Sequence, residues 1–197
     1  MVNSLGGFED LMARVRACDL CAAALPHGPR PVLQADPAAR ILIAGQAPGR
    51  KVHESGVPFD DASGDRLREW LGVDRDVFYN PTRIAILPMG FCYPGTGPSG
   101  DLPPRPECAP AWRDSLISRL SALELTVILG RHAMAYHFAG HSRSLTEQVA
   151  SWRNSLPQLL VLPHPSPRNN RWLKKNPWFE AEVIPELQAR VGAITSM

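Results

Sequence analysis

Apolar positions recur in two periods along this chain. Phe8, Leu11, Met12 and Val15 are three or four residues apart, which predicts a short amphipathic helix over residues 8–17. Ile41-Leu42-Ile43-Ala44 is instead an unbroken apolar run that stops at a glycine. A run of that length without alternation fits a strand covered on both faces, as in a parallel sheet. Shorter runs of the same kind occur at 84–87, 125–129 and 159–162. Helical patterns fall between them at 64–71, 110–122 and 132–138, and a closing helix spans 178–191, bent near Pro185. Strands alternating with helices predict an α/β fold. The expected form is a three-layer αβα sandwich around a central, mainly parallel four-stranded sheet, one domain over residues 1–197.

Proline breaks the pattern in one place. The chain has 20 prolines in 197 residues, about twice the usual share of roughly 5%. Seven of them fall in residues 88–110, which excludes regular helix or central strand there. Phe91, Cys92, Tyr93 and Cys108 in the same stretch predict an ordered loop and not a linker. Residues 24–37 also read as loop. A hydrophobic share of 44% with 20% charged residues argues against disorder. The net charge of +2 is too small to signal a nucleic-acid partner by itself, so such a partner needs a local site. No stretch approaches the roughly 18 apolar residues of a membrane span, and the N-terminal segment lacks a secretory apolar run. The expectation is a cytoplasmic protein without membrane contact. In that compartment four cysteines point to metal ligation.

Two motifs leave strand ends, where open parallel sheets bind ligands. Gly45-Gln46-Ala47-Pro48-Gly49 follows the first strand. Its glycines let backbone amides approach a ligand, but it has neither the Gly-Lys-Ser/Thr of a P-loop nor dinucleotide-binding spacing. His164-Pro165-Ser166-Pro167-Arg168-Asn169 follows the last strand, and prolines on both sides present the histidine rigidly. The glycine turn alone is as often a plain strand-to-loop turn as a site, and a lone histidine is more often structural; the pairing at one sheet edge favours function. Cys18 and Cys21 form a Cys-x-x-Cys pair, and Cys92 and Cys108 follow with 15 residues between them. Four thiolates suit an iron–sulfur cluster or zinc, and spacing does not choose between them.

Together, GQAPG, SGVPF and HPSPRN resemble the uracil-DNA glycosylase superfamily. The second and third of these are similar to the single-strand-selective monofunctional class. The cysteine pattern is similar to the iron–sulfur, thermophile-type class and implies a [4Fe–4S] cluster on Cys18, Cys21, Cys92 and Cys108, with structural zinc the alternative. The resemblance implies an enzyme that flips uracil out of DNA and hydrolyses its N-glycosidic bond. It makes Phe59 the ring that stacks on the base. It gives His164 the developing oxyanion, helped by Gly45, Ala47, Pro48, Gly49 and Ser166.

Three features depart from the family pattern. Ala47 stands where one class has aspartate and another asparagine, and Gln46 stands where the iron–sulfur class has glutamate. Gln46 or His53 is then expected to handle the water, with Glu54, Asp60 and Asp61 in reserve; the two aspartates also suit capping of the next helix. No asparagine precedes Cys92, so the base edge is expected to meet backbone amides of residues 89–91, or Asn80. Arg168, Asn169, Arg171, Trp172, Lys174 and Lys175 form a cationic patch for DNA, with Arg168 or Trp172 as wedge. Two rival readings are a lesion- or abasic-site-binding protein on the same fold and an unrelated iron–sulfur redox protein.

Overall fold

The computed structural model describes residues 4–98, 100–140 and 142–196. Its strands are β1 (Ile41–Ala44), β2 (Ile84–Ile86), β3 (Thr96–Gly97), β4 (Gly100–Asp101), β5 (Leu125–Leu129) and β6 (Leu159–Leu162). Its α-helices are α1 (Ser4–Arg16), α2 (Arg50–Ser55), α3 (Ala62–Leu71), α4 (Arg75–Phe78), α5 (Cys108–Ile117), α6 (Gly130–His137), α7 (Leu145–Ala150), α8 (Asn170–Lys175) and α9 (Ile184–Thr195). A π-helical turn, Phe179–Val183, leads into α9, and Pro185 sits in the first turn of α9, where its missing N–H costs nothing. The bend expected near Pro185 is this junction.

Four strands form one parallel sheet in the order β2-β1-β5-β6. Ile41 pairs with Ile84 on one side and Leu125 on the other, and Val127 pairs with Leu160. Every residue of β1 and β2 is buried, as the unbroken apolar runs require. Alternate residues face opposite layers. Ile41, Ile43, Ile84 and Ile86 pack with Leu67, Trp70 and Leu71 of α3 and with Leu187, Val191 and Ile194 of α9. Leu42, Ala85 and Leu87 pack on the other face with Phe8, Met12 and Val15 of α1 and Leu116 of α5. Each Leu, Ile, Val, Phe and Met among them contributes about 1.5–3 kcal/mol by leaving water. The expected αβα sandwich is therefore the observed one. The sheet is wholly parallel, and the expected loop at 88–110 additionally carries the β3–β4 hairpin and the start of α5.

Chain direction across the sheet reverses between β1 and β5. From β1 the chain moves outward to β2; from β5 it moves the other way to β6. β1 runs into the Gly45–Gly49 loop and β5 directly into α6, and the diverging connections leave a crevice at their carboxyl ends. No helix of the described residues is long and apolar enough to cross a membrane.

Candidate active site

A cavity of about 570 Å³ occupies that crevice. Gly45, Gln46, Ala47, Pro48 and Gly49 from the end of β1 form one wall, and His164, Ser166, Arg168 and Asn169 from the end of β6 form another. Pro88 follows β2, and Gly130, Arg131 and His132 begin α6. Asp101, Leu102 and Pro103, carried by the β3–β4 hairpin, close the rim. The two motifs singled out from sequence thus meet across one cavity.

Phe59 lines this cavity in a constrained backbone state. Its φ is 55°, the left-handed region, which a bulky side chain seldom adopts. Strain of this kind costs about 1–3 kcal/mol and persists only where neighbours enforce it. Here they do. The Phe59 carbonyl accepts hydrogen bonds from Arg68 Nη1 and from the Tyr79 hydroxyl, each at 3.4 Å. Gly64 presses on the same carbonyl so closely that a Cβ there would sit 1.7 Å from the Phe59 oxygen. The ring lies edge-on to Phe78 and near Gly45, whose own Cβ would be 3.4 Å from Phe59 Cζ. Asp61 caps α3 by accepting from the Gly64 amide at 2.9 Å, and it lines the cavity as well. The capping role expected of the Asp60–Asp61 pair falls to Asp61; Asp60 pairs with Arg75 at the surface.

His164 is held by its own loop. The Ser166 amide donates to His164 Nδ1 at 3.2 Å, so Nε2 carries the proton of the neutral ring. Asn169 Nδ2 donates to the His164 carbonyl at 2.7 Å. Arg66 Nη1, from α3, donates to the carbonyls of Pro165 and Ser166, each at 3.3 Å. Gly130, with φ of 77°, lets the backbone lie against His164, where a Cβ would come within 3.4 Å of His164 Cβ. Burial pushes the His164 pKa below the ordinary histidine value, and the nearby Asp61 charge opposes this. A neutral N–H donor in a desolvated cavity wall stabilises negative charge that develops on a ligand.

Several expected contacts lie elsewhere. His53 is not in the cavity wall. Its ring packs 5.9 Å from both His27 and Tyr93, and its buried Nδ1 has no hydrogen-bond partner. Burial, then Arg30 and His27, lower its pKa. His53 lies within α2, whose winding turns its side chain toward His27 and Arg30, which linear spacing does not reveal. Asn80 lies before β2, at the opposite end of the sheet, and its Oδ1 accepts from the Thr82 amide and hydroxyl. It closes a turn. The amides of residues 89–91 are already engaged: Met89 with the Gly45 carbonyl, Gly90 with the Gln46 carbonyl, and Phe91 with Cys108 Sγ. They fasten the first motif and are not offered to a base. Trp172 is no wedge either, since its Nε1 donates to Thr146 Oγ1 and its ring packs on Trp178 and Phe179. Gln46 does line the cavity, with its amide nitrogen 3.4 Å from the Leu102 carbonyl. Arg171, Lys174 and Lys175 are exposed on α8, directly after the His164 loop. Arg168 reaches across the mouth, where a Cβ on Gly100 would lie 1.4 Å from Arg168 Nη1.

The four cysteines belong to a second locus. Among the described residues no group of three or more His, Cys, Asp or Glu side chains could hold a metal ion as placed. The thiols nevertheless feel one another: Cys18 and Cys21 both act on Cys92, and all three act on Cys108. Burial is the largest influence and pushes Cys92 to about 11 and Cys108 to about 12. Trp112 Nε1 donates to Cys18 Sγ at 3.2 Å, the Phe91 amide donates to Cys108 Sγ at 3.3 Å, and the Arg30 backbone bonds Cys92. Donors aimed at sulfur are the environment that thiolate ligands need.

Asp101, Leu102, Arg66, Arg131 and His132 were not expected at the site. Asp101 and Leu102 arrive on a loop with no periodicity to read. Arg66 falls on an ordinary helical stretch. Burial and Arg131 lower the His132 pKa. Over residues 33–188 the sequence matches the family model described as the Uracil DNA glycosylase superfamily, and the chain belongs to that superfamily.

Proposed function

We propose that this superfamily member excises uracil from DNA as a monofunctional glycosylase, acting as a monomer. The observation that carries the reading is His164, fixed as an Nε2–H donor on the wall of a cavity that Phe59 also lines and that is large enough to take a flipped nucleotide. DNA would enter along the exposed cations of α8, and the target nucleotide would rotate out of the stack into the cavity. The uracil ring would lie on Phe59. The C1′–N1 bond breaks with its electron pair passing to the ring. His164 Nε2–H meets the resulting charge on a ring oxygen, which is the largest single source of rate in sites of this kind. Water then adds to C1′ from the opposite side, and its proton leaves to bulk or to a carboxylate. Asp61 would take that role: it caps α3, lines the cavity, and its charge acts on His164. On this reading the water falls to Asp61 in place of His53, with Gln46 and Asp101 also in the cavity wall. Leu102, 40% exposed at the rim, is the apolar side chain suited to fill the vacated stack.

Cys18, Cys21, Cys92 and Cys108 would hold an iron–sulfur cluster, with zinc the alternative. When bound, the group would act as a cross-link with no part in bond cleavage. The chain's own residues extend that cross-link to the site: Cys92 and Cys108 bracket the segment that supplies Asp101, Leu102 and Pro103.

The test is incubation with a single-uracil oligonucleotide followed by hot alkali. Strand scission that depends on His164 supports the glycosylase. A gel shift without scission moves the protein to lesion binding. A colourless preparation with stoichiometric zinc replaces the cluster by the ion.

A further inference from the structure

Arg66 of α3 reaches the His164 loop, on which the charge of Asp61 at the α3 cap also acts, and Arg66 has no part in the steps above. Arg66 donates from Nη1 to the Pro165 carbonyl at 3.3 Å. The next amide, Ser166 N–H, belongs to the same peptide group and donates to His164 Nδ1 at 3.2 Å. A peptide whose oxygen accepts from a cation is polarised, and its N–H becomes a stronger donor. Pro165 cannot donate, and Asn169 already holds the His164 carbonyl, so the loop has little freedom to present another donor to Nδ1. We propose that Arg66 is a positioning residue for His164, holding the ring through the Pro165–Ser166 peptide in the form whose Nε2–H faces the cavity. The inference rests on the reading of His164 as the donor to the developing charge.

The surrounding charges fit this role. Asp61 favours the imidazolium. Arg66 reaches the ring through the Pro165–Ser166 peptide, whose carbonyl it holds at 3.3 Å. Arg131 and His132 reach the same cavity from α6, Arg168 from the loop itself and Asp101 from the β3–β4 hairpin. Losing Arg66 weakens the amide that occupies Nδ1. That change allows a proton onto Nδ1.

The experiment compares wild type, Arg66→Leu and Arg66→Lys. Long-range proton–nitrogen spectra of the imidazoles report tautomer and protonation, with the His164 signals identified by their absence in His164→Gln. Wild type should show protonated Nε2 and bare Nδ1. Arg66→Leu should bring imidazolium in about one pH unit higher and move the acid limb of kcat/KM with it. At neutral pH its kcat should fall about tenfold, with KM changed far less. Arg66→Lys keeps the charge and should restore most of both readouts, which separates the relay from a folding defect. Wild-type spectra and an unmoved acid limb in Arg66→Leu overturn the proposal, whatever its rate. If wild type fails to release uracil yet the spectra respond as described, the excision reading falls and the Arg66 role stands. If uracil is released and the spectra do not respond, the reverse holds.

Discussion

A single tautomer decides what His164 can do. With Nδ1 accepting from Ser166, the ring donates only through Nε2, and its depressed pKa keeps it neutral at physiological pH. His164→Ala should therefore reduce kcat by about 10²–10³-fold, the usual loss for one charge-stabilising donor. Single-turnover release of uracil measures it, and a loss below threefold would move the donor elsewhere. The rate should hold down to about pH 6.5, the ordinary histidine value, and decline only below it, because a lowered pKa delays protonation. A kcat profile that falls already between pH 8 and 7 contradicts this. Leu102 acts at the same scale but on a different quantity. Leu102→Ala should weaken action on duplex uracil several-fold while leaving single-stranded substrate nearly unaffected, since only the duplex has a vacated stack to fill. Equal losses on both would remove the wedge role.

Helix α3 sets the site by what it lacks. Gly64 has no Cβ, so the helix can press on the Phe59 carbonyl and keep that residue at positive φ. Gly64→Ala places a carbon 1.7 Å from a backbone oxygen that cannot move aside cheaply. The cost should reach about 3 kcal/mol, at the upper end of overpacking, read as a fall in melting temperature. Activity should drop further than stability explains, because Phe59 must rotate. Helices α5 and α6 make a second such junction. Arg113 of α5 is wholly buried; it binds the Leu87 carbonyl, donates to Pro88 O at 3.1 Å and meets His137 Nε2 at 3.1 Å. Burial, then Arg113, hold His137 at about 4. Between that value and about 6.5 the unfolded chain binds more protons than the folded one, so stability falls as pH drops through this window. His137→Gln should flatten that part of a pH–stability curve followed by denaturant unfolding. The elements themselves were largely legible. β1, β2, β5 and β6 are continuous apolar runs because both faces are buried, and burial is what composition encodes most directly. The two motifs were legible because they follow those runs. What escaped depends on contacts between distant segments. Nothing in Met89, Gly90 or Phe91 announces that their amides are consumed by Gly45, Gln46 and Cys108. Trp172 reads as exposed among cations until Trp178 and Phe179 are seen beneath it. Asp101 reaches the cavity only because a proline-rich loop folds back as a hairpin.

Across the whole molecule the charge is nearly balanced at +2, so attraction to DNA must come from where the cations sit. Arg171, Lys174 and Lys175 are exposed on α8, which begins directly after the His164 loop, and Arg168 spans the cavity mouth. Ion pairs such as Arg153 with Glu182 and Arg50 with Glu54 neutralise cations elsewhere on the surface. A local cluster on a balanced protein predicts binding that depends on salt through a few phosphates only. Removing one phosphate-binding cation should reduce the slope of log K against log salt by about 0.9 on duplex DNA or about 0.7 on a single strand. Arg171→Ala and Lys174→Ala should each lower the slope by one such step and weaken binding equally for every sequence, as phosphate-directed cations do. Fluorescence anisotropy at several salt concentrations measures this, with catalysis silenced by His164→Ala. The size of the step also identifies the strand state that α8 meets. If neither substitution changes the slope, DNA approaches across another face, and the placement of the cations beside the cavity has no bearing on binding.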